Sequence, residues 1–268
     1  MVNTLLTVLA AYALTLGALY LFQRRLIYHP DKIIAAPKQY GLAGFSEHTA
    51  TASDGVPIQL WHRPAAGGFP TIVYYHGNAF HMGNRAGIYA ALADKGFGVL
   101  AVGYRGYGKS GGRPSEQGLY RDARAAIAFL NDKNIPPQRL LLFGESLGSG
   151  IAVQMAGEYD IGGLILEAPY TSITARAAEI YRFIPVRLML RDRFDSLKKI
   201  GKVRAPLLLF HGERDDTIPV AHGRAILAAA ISPKHGIFFP EGGHSDFDNA
   251  VISAHVSDFA RKHGLIQV

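Results

Sequence analysis

The hydrophobic pattern divides the chain into an apolar leader, an alternating pair of segments and a series of short apolar runs separated by amphipathic stretches. From Val2 to Phe22 there are 21 residues without a charge, which at about 1.5 Å rise per residue is long enough to cross a hydrocarbon core of roughly 30 Å. Phe45 to Arg63 alternates polar and apolar positions on both sides of Ser53-Asp54-Gly55, the pattern of a β-hairpin. Apolar runs follow at Thr71–His76, Phe97–Val102, Arg139–Phe143, Gly163–Glu167, Pro206–His211 and Gly236–Pro240, each bounded by Gly or Pro. Helical spacing fills the intervals at Ala86–Lys95, Glu116–Lys133, Leu147–Glu158 and Val220–Ala230, with a last helix over Phe247–His263. Alternating strands and helices predict an α/β fold: an eight-stranded, mostly parallel sheet with helices on both faces, preceded by one N-terminal hydrophobic helix. Residues 170–204 break the rhythm, being longer, with Pro185 and a mixture of aromatic and basic residues. They read as an insertion over the sheet edge that can serve as a lid.

The domain organisation expected is therefore a transmembrane helix at 1–23 and one α/β domain at 24–268. A cleaved signal peptide would carry a basic segment before a shorter apolar stretch; here nothing basic precedes it, and Gln23-Arg24-Arg25 follows directly. A single-pass anchor is favoured over a signal peptide or a helix packed on the domain or lying along a bilayer. Arg24, Arg25 and Lys32 would keep the following domain cytoplasmic. Composition narrows the classes: 49% hydrophobic and 18% charged residues exclude disorder and coiled coil. Cysteine is absent, which excludes disulfides, thiolate zinc sites and a cysteine nucleophile. The net charge of +7 is spread along the chain with no dense basic run, so nucleic acid is not an expected partner.

Two motifs compete for the chemistry. The strand ending at Phe143 runs into Gly144-Glu145-Ser146-Leu147-Gly148 and then a helix, the strand, turn, helix setting of a nucleophile elbow. A serine in such a strained turn projects its oxygen from the carboxyl edge of the sheet, and glycines leave room for the neighbouring strand and helix. Against this, Gly103 to Ser110 satisfies the phosphate-loop pattern GxxxxGK[ST], and Ser110 sits in a second GxSxG match. A phosphate loop must open a helix at its Lys and Ser, yet Gly111-Gly112-Arg113-Pro114 postpones the helix to about Ser115. Ser146 is the candidate nucleophile.

A serine needs a base, and the base a carboxylate to orient it. After the run Pro206–His211 comes Gly212-Glu213-Arg214-Asp215-Asp216, and after Gly236–Pro240 comes Glu241-Gly242-Gly243-His244. Both lie at carboxyl ends of predicted strands, where ligands gather in open α/β sheets. His244 is the candidate base; Asp215 is favoured as its partner over Asp216 by the HGxxD spacing, with Glu213 and Asp246 as remote options. His76-Gly77-Asn78 follows the third strand, and backbone N–H groups at Asn78 and Leu147 are the candidate oxyanion donors. His76 itself reads as a packed core histidine. His76 and His81 are not in an HExxH helix, so no metal role is expected.

Taken in order, HGN, YRGYGKSGG, GESLG, HGERDDTIP and GGHSD resemble the α/β-hydrolase superfamily over about five-sixths of the chain. The apolar leader running into FQRRLIYHPDK looks like its membrane-anchored, bud-emergence-like branch. The resemblance implies a serine hydrolase of acyl esters or thioesters, lipid-derived ones included, acting through Ser146, His244 and Asp215 with Asn78 and Leu147 as oxyanion donors. It implies an acyl-enzyme intermediate and no cofactor. A serine peptidase of the same fold and a non-catalytic binding protein are the alternatives, and oligomeric state is left open.

Overall fold

The computed structural model describes residues 2–33, 36–231 and 233–267. Helix α1 (Val2–Ile27) leads through a two-residue strand β1 (His29–Pro30) into the hairpin β2 (Ser46–Thr51) and β3 (Pro57–Arg63). The chain then alternates: β4 (Thr71–Tyr75), a short β5 (Ala79–Phe80), α2 (Ala86–Asp94), β6 (Gly98–Val102), α3 (Glu116–Asn131), β7 (Leu140–Glu145), α4 (Leu147–Glu158) and β8 (Gly163–Glu167). The insertion forms three short helices, α5 (Ile173–Ile180), α6 (Val186–Met189) and α7 (Ser196–Ile200). Strand β9 (Leu207–Gly212), α8 (Val220–Ala229), β10 (Lys234–Phe239) and α9 (Asn249–Lys262) complete the domain.

Eight strands make one sheet in the order β10-β9-β8-β7-β4-β6-β3-β2. Only the β2–β3 and β3–β6 pairs are antiparallel. The central strands are buried along their whole length, which is why they read as continuous apolar runs and not as alternation. Edge strand β2 has one wet face and keeps its alternation. Two apolar cores lie on opposite faces: Leu119, Leu147 and Ile151 belong to one, and Tyr89, Leu92 and Phe259 to the other. Helix α4 is buried nearly all round because sheet, α3 and α7 enclose it.

Helix α1 runs four residues beyond the expected boundary at 23. Arg24 and Arg25 do not break the helix; they sit in its last turn, where cations interact favourably with the C-terminal dipole. A second, two-stranded parallel sheet pairs β1 with β5, His29 opposite Ala79 and Pro30 opposite Phe80. This pairing ties the exit of α1 to the loop after β4.

Candidate active site

Ser146 occupies the turn between β7 and α4 with φ 48° and ψ −115°, a conformation few residues other than glycine adopt. The turn is held from below by the Ser146 N–H, which donates to the Glu167 carbonyl at 2.9 Å, and from above by Ser149 Oγ, which donates to the Ser146 carbonyl at 2.6 Å. Gly148 is required here: a Cβ would collide with the Tyr75 carbonyl oxygen, so any side chain would push α4 off β4.

His244 Nδ1 lies 2.7 Å from Asp215 Oδ2, and its Nε2 lies 3.0 Å from Ser146 Oγ. Since a carboxylate can only accept, Nδ1 donates to Asp215 and Nε2 is left to accept the serine proton. Asp215 is fully buried, and its Oδ1 accepts the N–H groups of Thr217 (2.9 Å) and Ile218 (2.7 Å). Burial would push this carboxyl up, but hydrogen bonds from His211, His244 and the Ile218 N–H outweigh it and hold the group well below the ordinary aspartate value. Asp216 does not reach His244: its carbonyl accepts from Arg176, and the residue is exposed. Glu213 pairs with Arg224, and Asp246 Oδ1 accepts from the Gly243 N–H.

Asn78 lies beside Ser146. Its side-chain amide donates to the Ile27 carbonyl at 2.9 Å, and its carbonyl accepts from Tyr107 Oη (2.7 Å) and the His29 N–H (3.0 Å). The backbone N–H groups of Asn78 and of Leu147, the first residue of α4, have no partner among the described residues. Tyr104 Oη donates to the His76 carbonyl at 2.8 Å, so two tyrosines of the YRGYG segment brace the HGN loop. Sequence reading missed both; their signal was two tyrosines three apart among glycines, in a loop with no other apolar residue.

The competing motif is structural. Ser110 is buried, with Oγ donating to the Gly103 carbonyl (2.8 Å) and accepting the Gln59 N–H (2.9 Å). Lys109 pairs with Glu47, and α3 opens only at Glu116. His76 is a buried core histidine stacked on Tyr104, and burial lowers it to about 3, so the ring is neutral. His81 caps the turn after β5, its Nδ1 accepting from the Gly83 N–H.

Ser146 stands between two cavities. An apolar one of about 370 Å³ is lined by Leu147, Tyr170, Ile173 and Met189 together with Leu19 and Ile27 of α1. A polar one of about 500 Å³ is lined by Arg85, Glu145, His244, Asp246 and Asn249. Beneath them Glu145 accepts both Arg85 Nε and Nη2 at 2.5 Å and Tyr74 Oη at 3.0 Å. Glu167, its neighbour on β8, is pushed up to about 8, first by burial and then by the Glu145 charge. Folded protein thus holds a proton that the unfolded chain releases near the ordinary glutamate value of 4.5. Stability should fall as pH rises from about 4.5 to about 8, by up to about 1.4 kcal/mol per pH unit, and level off above. Glu167→Gln removes that slope; urea titrations of both proteins across the range check it, and equal slopes would refute the assignment.

The family model described as serine aminopeptidase matches residues 69–195. A protein of Mycobacterium tuberculosis described as uncharacterized is 36% identical over 248 residues, covering 90% of this chain and 88% of its own. Alpha/beta hydrolase domain-containing protein 17B of Xenopus laevis is 32% identical over 184 residues, covering 66% and 61%. Among solved structures, an esterase of Pyrococcus furiosus superposes with a TM-score of 0.71 at 19% identity, covering 87% of this chain and 99% of that one. The esterase likeness shows a shared fold, and with the family model and the sequence relatives the chain belongs to the α/β-hydrolase superfamily.

Proposed function

We propose that the protein is a membrane-anchored serine hydrolase cleaving acyl esters or thioesters through Ser146, His244 and Asp215. The observation that carries the reading is the hydrogen-bonded relay from Ser146 Oγ to His244 to a buried, ionised Asp215. His244 takes the serine proton as Oγ attacks the acyl carbon, and the N–H groups of Asn78 and Leu147 receive the oxyanion. The same imidazole, now protonated, donates to the leaving alcohol or thiol; it then takes a proton from the water that attacks the acyl carbon and returns it to Ser146 Oγ as the acyl–Oγ bond breaks and the acid leaves. Ser146 between an apolar and a polar cavity suits an acyl chain on one side and a polar leaving group on the other. Among the described residues, helix α1 is long and apolar enough to anchor the chain.

Labelling of the full chain in detergent by a fluorophosphonate tests this. Wild type and Ser110→Ala are expected to label and Ser146→Ala not; labelling that survives Ser146→Ala would sink the proposal. The serine aminopeptidase description of the matched family favours a second reading, peptide amides. Turnover of aminoacyl amides exceeding that of acyl esters would replace the first reading with it.

A further inference from the structure

The N-terminal helix does more than the anchoring its composition suggests. It meets the insertion at three points between Tyr12 and Arg24: Tyr12 Oη donates to the Phe183 carbonyl (2.7 Å), Gln23 Oε1 accepts the Arg191 N–H (2.7 Å), and Arg24 forms a bidentate pair with buried Asp192 (2.8 and 3.2 Å). Leu16, Leu19, Gln23 and Ile27, spaced three, four and four apart, are its less exposed positions and form the stripe that faces the domain. Leu19, Gln23 and Ile27 of this stripe line the apolar cavity, and the Ile27 carbonyl holds the Asn78 side chain.

Tyr12 stands twelve residues before Arg24, so at about 1.5 Å per residue the Phe183 carbonyl lies about 18 Å along the helix from Arg24 and Arg25, and Arg182 stands beside it. The apex of the insertion beside α1 mixes exposed apolar and basic side chains: Phe183 is 90% exposed and Leu188 84%, with Ile180 and Tyr181 also exposed, and Arg182 and Arg187 stand exposed among them. Apolar side chains interleaved with arginines, continuous with a membrane-length helix, suit the boundary between acyl chains and headgroups.

We propose that α1 is a wall of the acyl-chain site and that the insertion apex rests in the bilayer interface beside it, Phe183 and Leu188 toward the acyl chains and Arg182 and Arg187 at the headgroups, so that the cavity takes the chain of a membrane lipid directly from the bilayer. The chain passes between Leu19 and Ile27 of α1 and Met189 of the insertion, and the carbonyl arrives at Ser146 beside Asn78 and Leu147. The assignment of the cavity to an acyl chain rests on the serine hydrolase reading; the bilayer contact does not.

The test uses the full chain in phosphatidylcholine vesicles. Its one tryptophan, Trp61, is fully buried and supplies a constant background. In Phe183→Trp, bromine on the lipid acyl chains is expected to quench the added emission by roughly half or more, and unquenched emission would overturn the bilayer contact. Leu19→Trp fills the cavity, so the ratio of long-chain to acetate ester turnover should fall about tenfold. Fluorophosphonate labelling of this variant shows that it is folded, and an unchanged ratio would overturn the wall. Phe183→Asp should lower the same ratio on vesicle-borne ester through loss of apolar contact, and equal ratios would count against loading from the bilayer. If wild type neither labels nor hydrolyses, the serine reading fails, and quenching alone still decides the bilayer contact.

Discussion

Asp215→Asn is expected to lower kcat on an acyl ester by about 10⁴-fold while leaving the fold intact. The carboxylate fixes the His244 proton on Nδ1, at 2.7 Å, and so leaves Nε2 free to accept from Ser146 Oγ at 3.0 Å. An asparagine amide turned toward Nδ1 would donate instead, moving the ring proton to Nε2 and presenting the serine with a donor where it needs a base. The substitution is nearly isosteric, and its remaining oxygen can still accept the Thr217 and Ile218 N–H groups. The comparison with Asp216→Asn is decisive, because Asp216 does not reach His244 and its replacement should change kcat by less than about twofold. Steady-state turnover of both variants checks this; a comparable loss in each, or none in Asp215→Asn, would remove Asp215 from the orienting role.

Fold and site were legible to different depths, for physical reasons. The sheet could be read because its inner strands are buried on both faces, which leaves unbroken apolar runs such as Leu140–Phe143, and because helices of period 3.6 separate them. That Ser146, Asp215 and His244 would be brought together was readable because each follows the carboxyl end of a strand, where the fold collects side chains from distant parts of the sequence. What stayed hidden was the work of α1. A helix apolar all round announces its length but not which stripe packs, and the contact that ties it to the site is made by a main-chain carbonyl, that of Ile27, which has no signature in sequence. The Arg85–Glu145 pair was hidden likewise, since its partners come from different elements and neither belongs to a motif that names the other.

Arg105→Met should destabilise the folded protein by about 3 to 5 kcal/mol, a large fraction of the stability of a typical domain. Arg105 is buried and forks between two acids, donating through Nε to fully buried Asp122 (2.8 Å) and through Nη1 and Nη2 to Asp54 (2.8 and 2.9 Å). Without the guanidinium, Asp122 keeps one neutral donor, the Arg105 N–H at 2.8 Å, and is otherwise an uncompensated charge in the core. Adding Asp122→Asn retains an acceptor for that N–H and removes the charge, so the double variant should recover a large part of the loss. Chemical denaturation of the three proteins checks this, and a double variant as unstable as the single one would show that packing, not charge, accounts for the cost. The consequence reaches the chemistry because Arg105 lies between Tyr104 and Tyr107, whose hydroxyls hold the His76 and Asn78 carbonyls. A loop that loses its ionic fork lets those braces drift, and the Asn78 N–H moves with them. Ester turnover by Arg105→Met at a temperature where it remains folded should therefore fall by about tenfold, as expected when the proposed oxyanion donor at Asn78 is held less firmly.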